Sequence, residues 1–327
     1  MGLRLIDAPS LGRRLSCLMA FPSSAQPETH EAGLELFYRL GGNCLHLHGE
    51  GGETHSRTAT GKWLRTRRLR DEFFLCSQIC HDGWDEAGRR SIDRFTPEAA
   101  REDVDADLGW LETDSLDLVY LDDRSGAELE PMIESMAREI ARGRVRSLGV
   151  RNWTAARIQE ANRLASRLGM PPIAALVTTE LSLPSAKRPL WPEYVPFDAT
   201  LEAEARRSGI MVFAHAEDGN LGQCVFDEPV DSLVARPRWT QRWDHPGNPA
   251  LAREAQRMAD ARGVTPRAIN LAWLLNRPFP VVAVAGLPTL LGDSAGDYEI
   301  AAALRFEPEE TRRLEALKPG RTARDHD

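Results

Sequence analysis

Eight short apolar runs, each followed by a stretch of helical period, set the strongest constraint on how this 327-residue chain can fold. The runs are LSCLMAF (15–21), NCLHL (43–47), FFLCSQI (73–79), LDLVYL (116–121), VRSLGV (145–150), IAALVT (173–178), GIMVFA (209–214) and PVVAVAG (280–286). They are short and rich in branched side chains, as strands buried on both faces are. Thr96-Pro97-Glu98 places an N-cap, a proline and an acidic first turn at the start of a helix predicted over 97–112. Thr154 and Thr265 cap helices predicted over 154–168 and 265–276 in the same way. Eight strand–helix units fit a closed parallel (β/α)8 TIM barrel, an α/β single domain over 1–327 with its core from about 10 to 317. Pattern alone also leaves an open doubly wound sheet as an alternative.

Bulk properties narrow the partners. A net charge of −8 and a pI of about 5.6 argue against nucleic acid or an anionic membrane, since both require a basic face. No apolar run is long enough to span a bilayer. The segment MGLRLIDAPSLGRRL has no apolar core of the kind a signal peptide needs. Cys17, Cys44, Cys76, Cys80 and Cys224 make neither an even disulfide frame nor a CxxC knuckle, which points to a reducing cytoplasm. A small-molecule substrate is the expected partner.

Two connections are long, 179–198 after the sixth run and 215–248 after the seventh. Both leave the rim where barrels of this kind keep their active sites. Trp191, Trp239 and Trp243, with Tyr194, are placed to wall a substrate there; the alternative is that they fold the loops down onto the rim.

The densest cluster of reactive side chains is GNCLHLHGEGGETH (42–55). His46 and His48 alternate, so on a strand they share a face. Asp122 and His215 end two other runs, and Gln78 lies between them in barrel order. This set suits acid/base work, with His46 taking a proton, Asp122 orienting it, and His48 and His215 assisting. A divalent metal on His46, His48 and Asp122 is the lesser alternative. Glu50, Glu53 and His55 read as a solvated loop and helix entry. Arg151, next to Asn152, offers a planar fork for a substrate carboxylate or phosphate, or else an ion pair with Asp122.

Several segments then carry a resemblance: LELFYRLGGNCLHLH, GKWLRTRRLRDEFFLCSQI, DLGWLETDSLDLVYLDD, EIARGRVRSLGVRNWTAARIQEA, EARRSGIMVFAHAEDGNLG and GVTPRAINLAWLLNRP. In this order and spacing the chain resembles the aldo-keto reductase family from about Ser10 to Leu317. The resemblance implies a barrel in which NADPH delivers hydride and a Tyr, tuned by a Lys and an Asp, protonates a carbonyl that a His orients. At the matching places this chain has His46 for the Asp, Gln78 for the Lys and Asp122 for the His. No tyrosine lies between Tyr38 and Tyr120.

The cofactor places differ too. Leu18-Met19 stands for Gly-Thr, Arg151-Asn152 for Ser-Asn, and Ala214 for a stacking aromatic. Asn152 and Gly286 are the vestiges, and no cation lies from Gly286 to Glu299. No cofactor is therefore favoured, and NADP(H) enters only through the resemblance. The expectation is a family-like barrel turned to non-redox elimination, isomerisation or cyclisation, a lyase or isomerase. An NAD(P)H-dependent oxidoreductase with His46 as donor, and a silent binding protein, are the alternatives.

Overall fold

The computed structural model describes residues 2–22, 27–47, 54–81, 83–84, 90–92, 94–122, 126–178, 181–185, 195–215, 225–226, 243, 245–287 and 295–318. The eight apolar runs form eight parallel strands: β3 (Leu18–Phe21), β4 (Cys44–Leu47), β5 (Phe74–Ile79), β8 (Leu118–Asp122), β9 (Leu148–Arg151), β10 (Ala175–Thr178), β11 (Met211–His215) and β12 (Val281–Gly286). They pair in this order, and β12 returns to β3, so the sheet closes into a barrel. The open-sheet alternative is thereby removed.

Alternation divides each strand between two apolar compartments. Met19, Cys76, Leu118, Tyr120, Val177 and Phe213 belong to the cluster that fills the barrel. Their neighbours Leu18, Leu75, Val119, Leu121, Leu176 and Val212 belong to the layer beneath the helices. A strand buried on both faces reads as a continuous apolar run, which is why the sequence shows no polar alternation. Ala214 falls in the outer cluster while Phe213 points inward. The alanine that stands for a stacking aromatic in the resemblance thus faces the helices.

Helices α1 (Pro27–Arg39), α2 (Thr54–Arg67), α3 (Pro97–Leu111), α4 (Glu130–Ala141), α5 (Ala155–Arg167) and α6 (Ala199–Ser208) follow in chain order. Further helices span Asn248–Asp260, Pro266–Leu275, Ala295–Ala303 and Pro308–Leu317. All three predicted threonine caps are made: Thr96 accepts from the Ala99 amide, Thr154 from Arg157 and Thr265 from Ala268. Each satisfies a donor that the first turn leaves over.

Two hairpins had no counterpart in the sequence reading. Strands β1 (Leu5–Ala8) and β2 (Arg13–Ser16) form an antiparallel pair ahead of the first barrel strand. Ala8 and Leu15 of this pair close the barrel interior from below. The Ser10 hydroxyl donates to the Ala174 carbonyl at 2.9 Å, and Arg13 reaches Asp117. Strands β6 (Gly83–Trp84) and β7 (Arg90–Ile92) make a second small hairpin after β5.

Candidate active site

Four consecutive barrel strands end in polar side chains on the inner face. His46 on β4, Gln78 on β5, Asp122 on β8 and Arg151 on β9 are all at most 4% exposed. Register brings them side by side, with Gln78 opposite Tyr120 and Asp122 opposite Arg151. The Gln78 amide nitrogen donates to Asp122 Oδ2 at 3.0 Å. Its carbonyl oxygen accepts from the Tyr120 hydroxyl at 3.1 Å and, at longer range, from Arg151 Nη1 at 3.5 Å. Arg151 Nη1 stands 3.8 Å from Asp122 Oδ2. The carboxylate and guanidinium therefore meet mainly through the amide. A buried pair this long recovers less of its desolvation cost than a tight fork would.

His46 lies against the same group. Its ring stacks on Tyr120 with centroids 5.2 Å apart and planes at 24°, and meets the edge of Phe21 at 5.8 Å and 65°. One stacked ring and one edge contact thus fix the plane of the imidazole. The arrangement unites a group able to exchange protons, a carboxylate, a cation and an amide of set orientation in one buried space.

Tyr120 is the site residue that the sequence reading missed. It lies two positions before Asp122 on β8, so strand alternation alone places both on one face. Inside LDLVYL it read as core. Gly149 on β9 makes room for it, since a Cβ there would stand 3.2 Å from Tyr120 Cβ, 3.2 Å from the Leu118 side chain and 3.2 Å from the Ala175 carbonyl.

The remaining candidates are more scattered. His48, Trp191, Tyr194 and Trp239, with Glu50 and Glu53, lie outside the described residues. His215 is the last residue of β11, opposite Val284, and its side chain is also outside them. His55 is exposed in the first turn of α2. Among the described residues no group of three or more His, Cys, Asp or Glu side chains could hold a metal ion.

Asn152 adopts a left-handed φ of 69°, and its Oδ1 accepts from the Val195 amide at 2.7 Å, so it anchors the chain returning from the first rim loop. Trp243 is 4% exposed and packs in the outer apolar layer, as a loop anchor does. Its carbonyl accepts from Asn248 Nδ2 at 2.7 Å. The Asn248 amide also makes two bonds of 3.0 Å to the Ser185 backbone, tying the two rim loops together. Sequence reasoning passed over Asn248, because a helix-start asparagine looks like an ordinary cap.

Gly286 ends β12 opposite Phe21. Beyond it, the helix Ala295–Ala303 opens with Asp297, buried and bonded to the Thr265 hydroxyl. The cation near this turn comes from another helix: Arg267 Nε lies 3.6 Å from Asp297 Oδ2.

Comparison with known proteins adds the following. Residues 24–185 match the model of the Aldo/keto reductase family. Aldo-keto reductase yakc (NADP(+)) of Schizosaccharomyces pombe is 21% identical over 239 residues, covering 69% of this chain and 64% of that protein. Norsolorinic acid reductase A of Aspergillus parasiticus is 29% identical over 192 residues, 53% of this chain and 49% of that protein. The chain thus spans less than two thirds of the length of either relative. A solved glycerol dehydrogenase from Gluconobacter oxydans shares the fold with a TM-score of 0.74 at 17% identity, over 96% of this chain and 94% of that one.

Proposed function

We propose that the barrel mouth of this chain, which belongs to the aldo-keto reductase family, carries out non-redox acid/base chemistry on a small organic substrate. His46 removes a proton from a carbon or hydroxyl, and Asp122 holds the complementary charge. Arg151 and the Asn152 amide bind a polar or anionic part of the substrate. His48 and His215 assist. The reaction classes that fit are elimination, isomerisation and cyclisation, in which protons move and no electrons are exchanged with a cofactor.

The observation that supports this reading most is the state of Gln78. It is a neutral amide bonded to Asp122 and Tyr120, at the place where the resemblance sets an ammonium. An amide orients its neighbours but has no charge with which to acidify a phenol. The charges on the helix after β12 point the same way. Arg267, the cation described near the turn after β12, is already balanced by Asp297, and Glu299 follows on the same helix. A dianionic 2′-phosphate beside these carboxylates is repelled, which supports a reaction in which NADP(H) takes no part.

A second reading is favoured by the relatives, whose names are those of reductases. In it the chain is an NAD(P)H-dependent oxidoreductase with His46 as an unorthodox donor. Titration with NADPH, followed by nicotinamide fluorescence, separates the two. Weak or absent binding is expected, whereas tight binding with carbonyl-dependent oxidation of NADPH would sink the non-redox reading. Once a substrate is found, His46→Ala should lower turnover by about 10²–10⁴-fold.

A further inference from the structure

We propose that Tyr120 is a positioning residue that joins the His46 imidazole and the Gln78–Asp122–Arg151 chain into one unit. Its two ends do different things. The ring supplies the flat surface on which the imidazole lies, 5.2 Å away and tilted by 24°. The hydroxyl donates to the Gln78 oxygen at 3.1 Å. One residue thus touches both His46 and Gln78.

The hydroxyl decides which way the Gln78 amide faces. Arg151 can only donate and the Asp122 carboxylate can only accept. Tyr120 joins Arg151 on the oxygen side, leaving the amide N–H groups to Asp122. Without the phenol, the oxygen side keeps only the 3.5 Å contact from Arg151. The amide is then held weakly against rotation, and a rotated amide would set oxygen against carboxylate. The phenol thus fixes the sign of the dipole that Asp122 meets. Gly149 fits this role, because any side chain opposite Tyr120 would crowd its Cβ at 3.2 Å.

The catalytic consequence rests on the acid/base reading above, but the contacts can be tested without a substrate. Solution NMR of the full chain would follow the His46 ring protons and the Gln78 side-chain amide protons, assigned with His46→Ala and Gln78→Glu. Tyr120→Phe should leave the His46 ring protons at their upfield, ring-stacked position. In the same variant the Gln78 amide protons should exchange about fivefold faster, as expected for one lost hydrogen bond. Tyr120→Leu should move the His46 signals downfield as well. Unchanged Gln78 exchange in Tyr120→Phe overturns the proposal, and so do unmoved His46 signals in Tyr120→Leu. If the leucine variant does not fold, the phenylalanine arm alone decides. Full turnover by His46→Ala, with the NMR results as expected, would instead remove the acid/base reading and leave the positioning role standing.

Discussion

A buried carboxylate stands at either end of strand β8, and the protein holds the two quite differently. Asp117, just ahead of the strand at the barrel base, is met by Arg146 at 3.0 Å, Arg70 at 3.0 Å and Arg13 at 3.5 Å. The Leu75 amide adds a bond of 3.0 Å to its second oxygen. Asp122, at the mouth, has one described amide bond at 3.0 Å and a guanidinium at 3.8 Å. Both are nearly inaccessible, at 3% and 4% exposure. The base cluster ties the N-terminal hairpin, through Arg13, to three parts of the barrel. At the mouth, the described contacts run through the Gln78 amide, which lies between Asp122 and Arg151. Charge locked among three arginines at the barrel base reads as structure. The carboxylate met through a neutral amide lies at the C-terminal mouth, where barrels of this kind keep reactive groups.

The first way to break this comparison is to remove each carboxylate in turn and measure urea unfolding. Asp117→Ala leaves three guanidinium groups and an amide without their shared acceptor. Loss of one partner from a buried ion cluster costs about 3–5 kcal/mol. Because Arg146 is more than half exposed and water can take over its contact, the lower end, about 3 kcal/mol, is expected. A loss below about 1 kcal/mol would show that the base is no better built than the mouth.

How legible the two ends were in the sequence follows from the same physics. The barrel was readable because strands buried on both faces are continuous apolar runs and because threonines mark helix starts at 96, 154 and 265. Asp122 could be picked out because it directly follows such a run, and His46 because it alternates with His48. Asp117 could not, since its value lies in arginines at 13, 70 and 146 that only the closed barrel brings together. Tyr120 was hidden for another reason: a tyrosine in mid-strand looks like packing until its hydroxyl is seen on Gln78. The β1–β2 hairpin was missed because LIDA and RRLS are short and half polar, and only their docking under the barrel makes them strands.

Acid titration sharpens the contrast by locating the pH-sensitive part away from both ends. His30 on α1 is 2% exposed and its Nε2 lies 3.0 Å from Oγ1 of Thr60 on α2. Thr60 gives its own proton to the Ser56 carbonyl, so the imidazole donates through Nε2 and a second proton would go to the buried Nδ1. Burial lowers its pKa from 6.5 to about 4. The folded state then binds fewer protons than the unfolded chain between these values, so stability is full above pH 6.5 and falls as pH drops towards 4. His30→Gln should remove this slope. Relative to the parent it should gain up to about 3 kcal/mol between pH 7 and pH 4. Asp107 acts in the opposite sense. Burial outweighs the nearby Arg57 and raises its pKa to about 6, so its contribution weakens as pH rises from about 4 to 6. The His30→Gln difference should be the same in an Asp117→Ala background, because the sites share no partner.

Smaller effects probe the mouth itself. Gly149→Ala puts a methyl 3.2 Å from Tyr120 Cβ, the Leu118 side chain and the Ala175 carbonyl. Overpacking of this kind costs about 1–2 kcal/mol, and thermal unfolding would register it. Less loss would mean that Tyr120 can shift without strain.

The smallest change in stability, within about 1 kcal/mol, is expected for Asp122→Asn. The amide is the same shape, its oxygen still accepts from Gln78 Nε2, and the desolvation cost of a buried charge disappears. Arg151 loses only a 3.8 Å partner. Turnover, once a substrate is in hand, should nevertheless fall by about 10²–10⁴, the range associated with a lost acid/base partner. Asp117→Ala reverses the pattern, with a large stability loss and, at temperatures where it stays folded, little change in turnover. If Asp122→Asn instead unfolds the protein as Asp117→Ala does, the mouth cluster is structural too. The contrast between the two ends of β8 would then no longer argue for a working site.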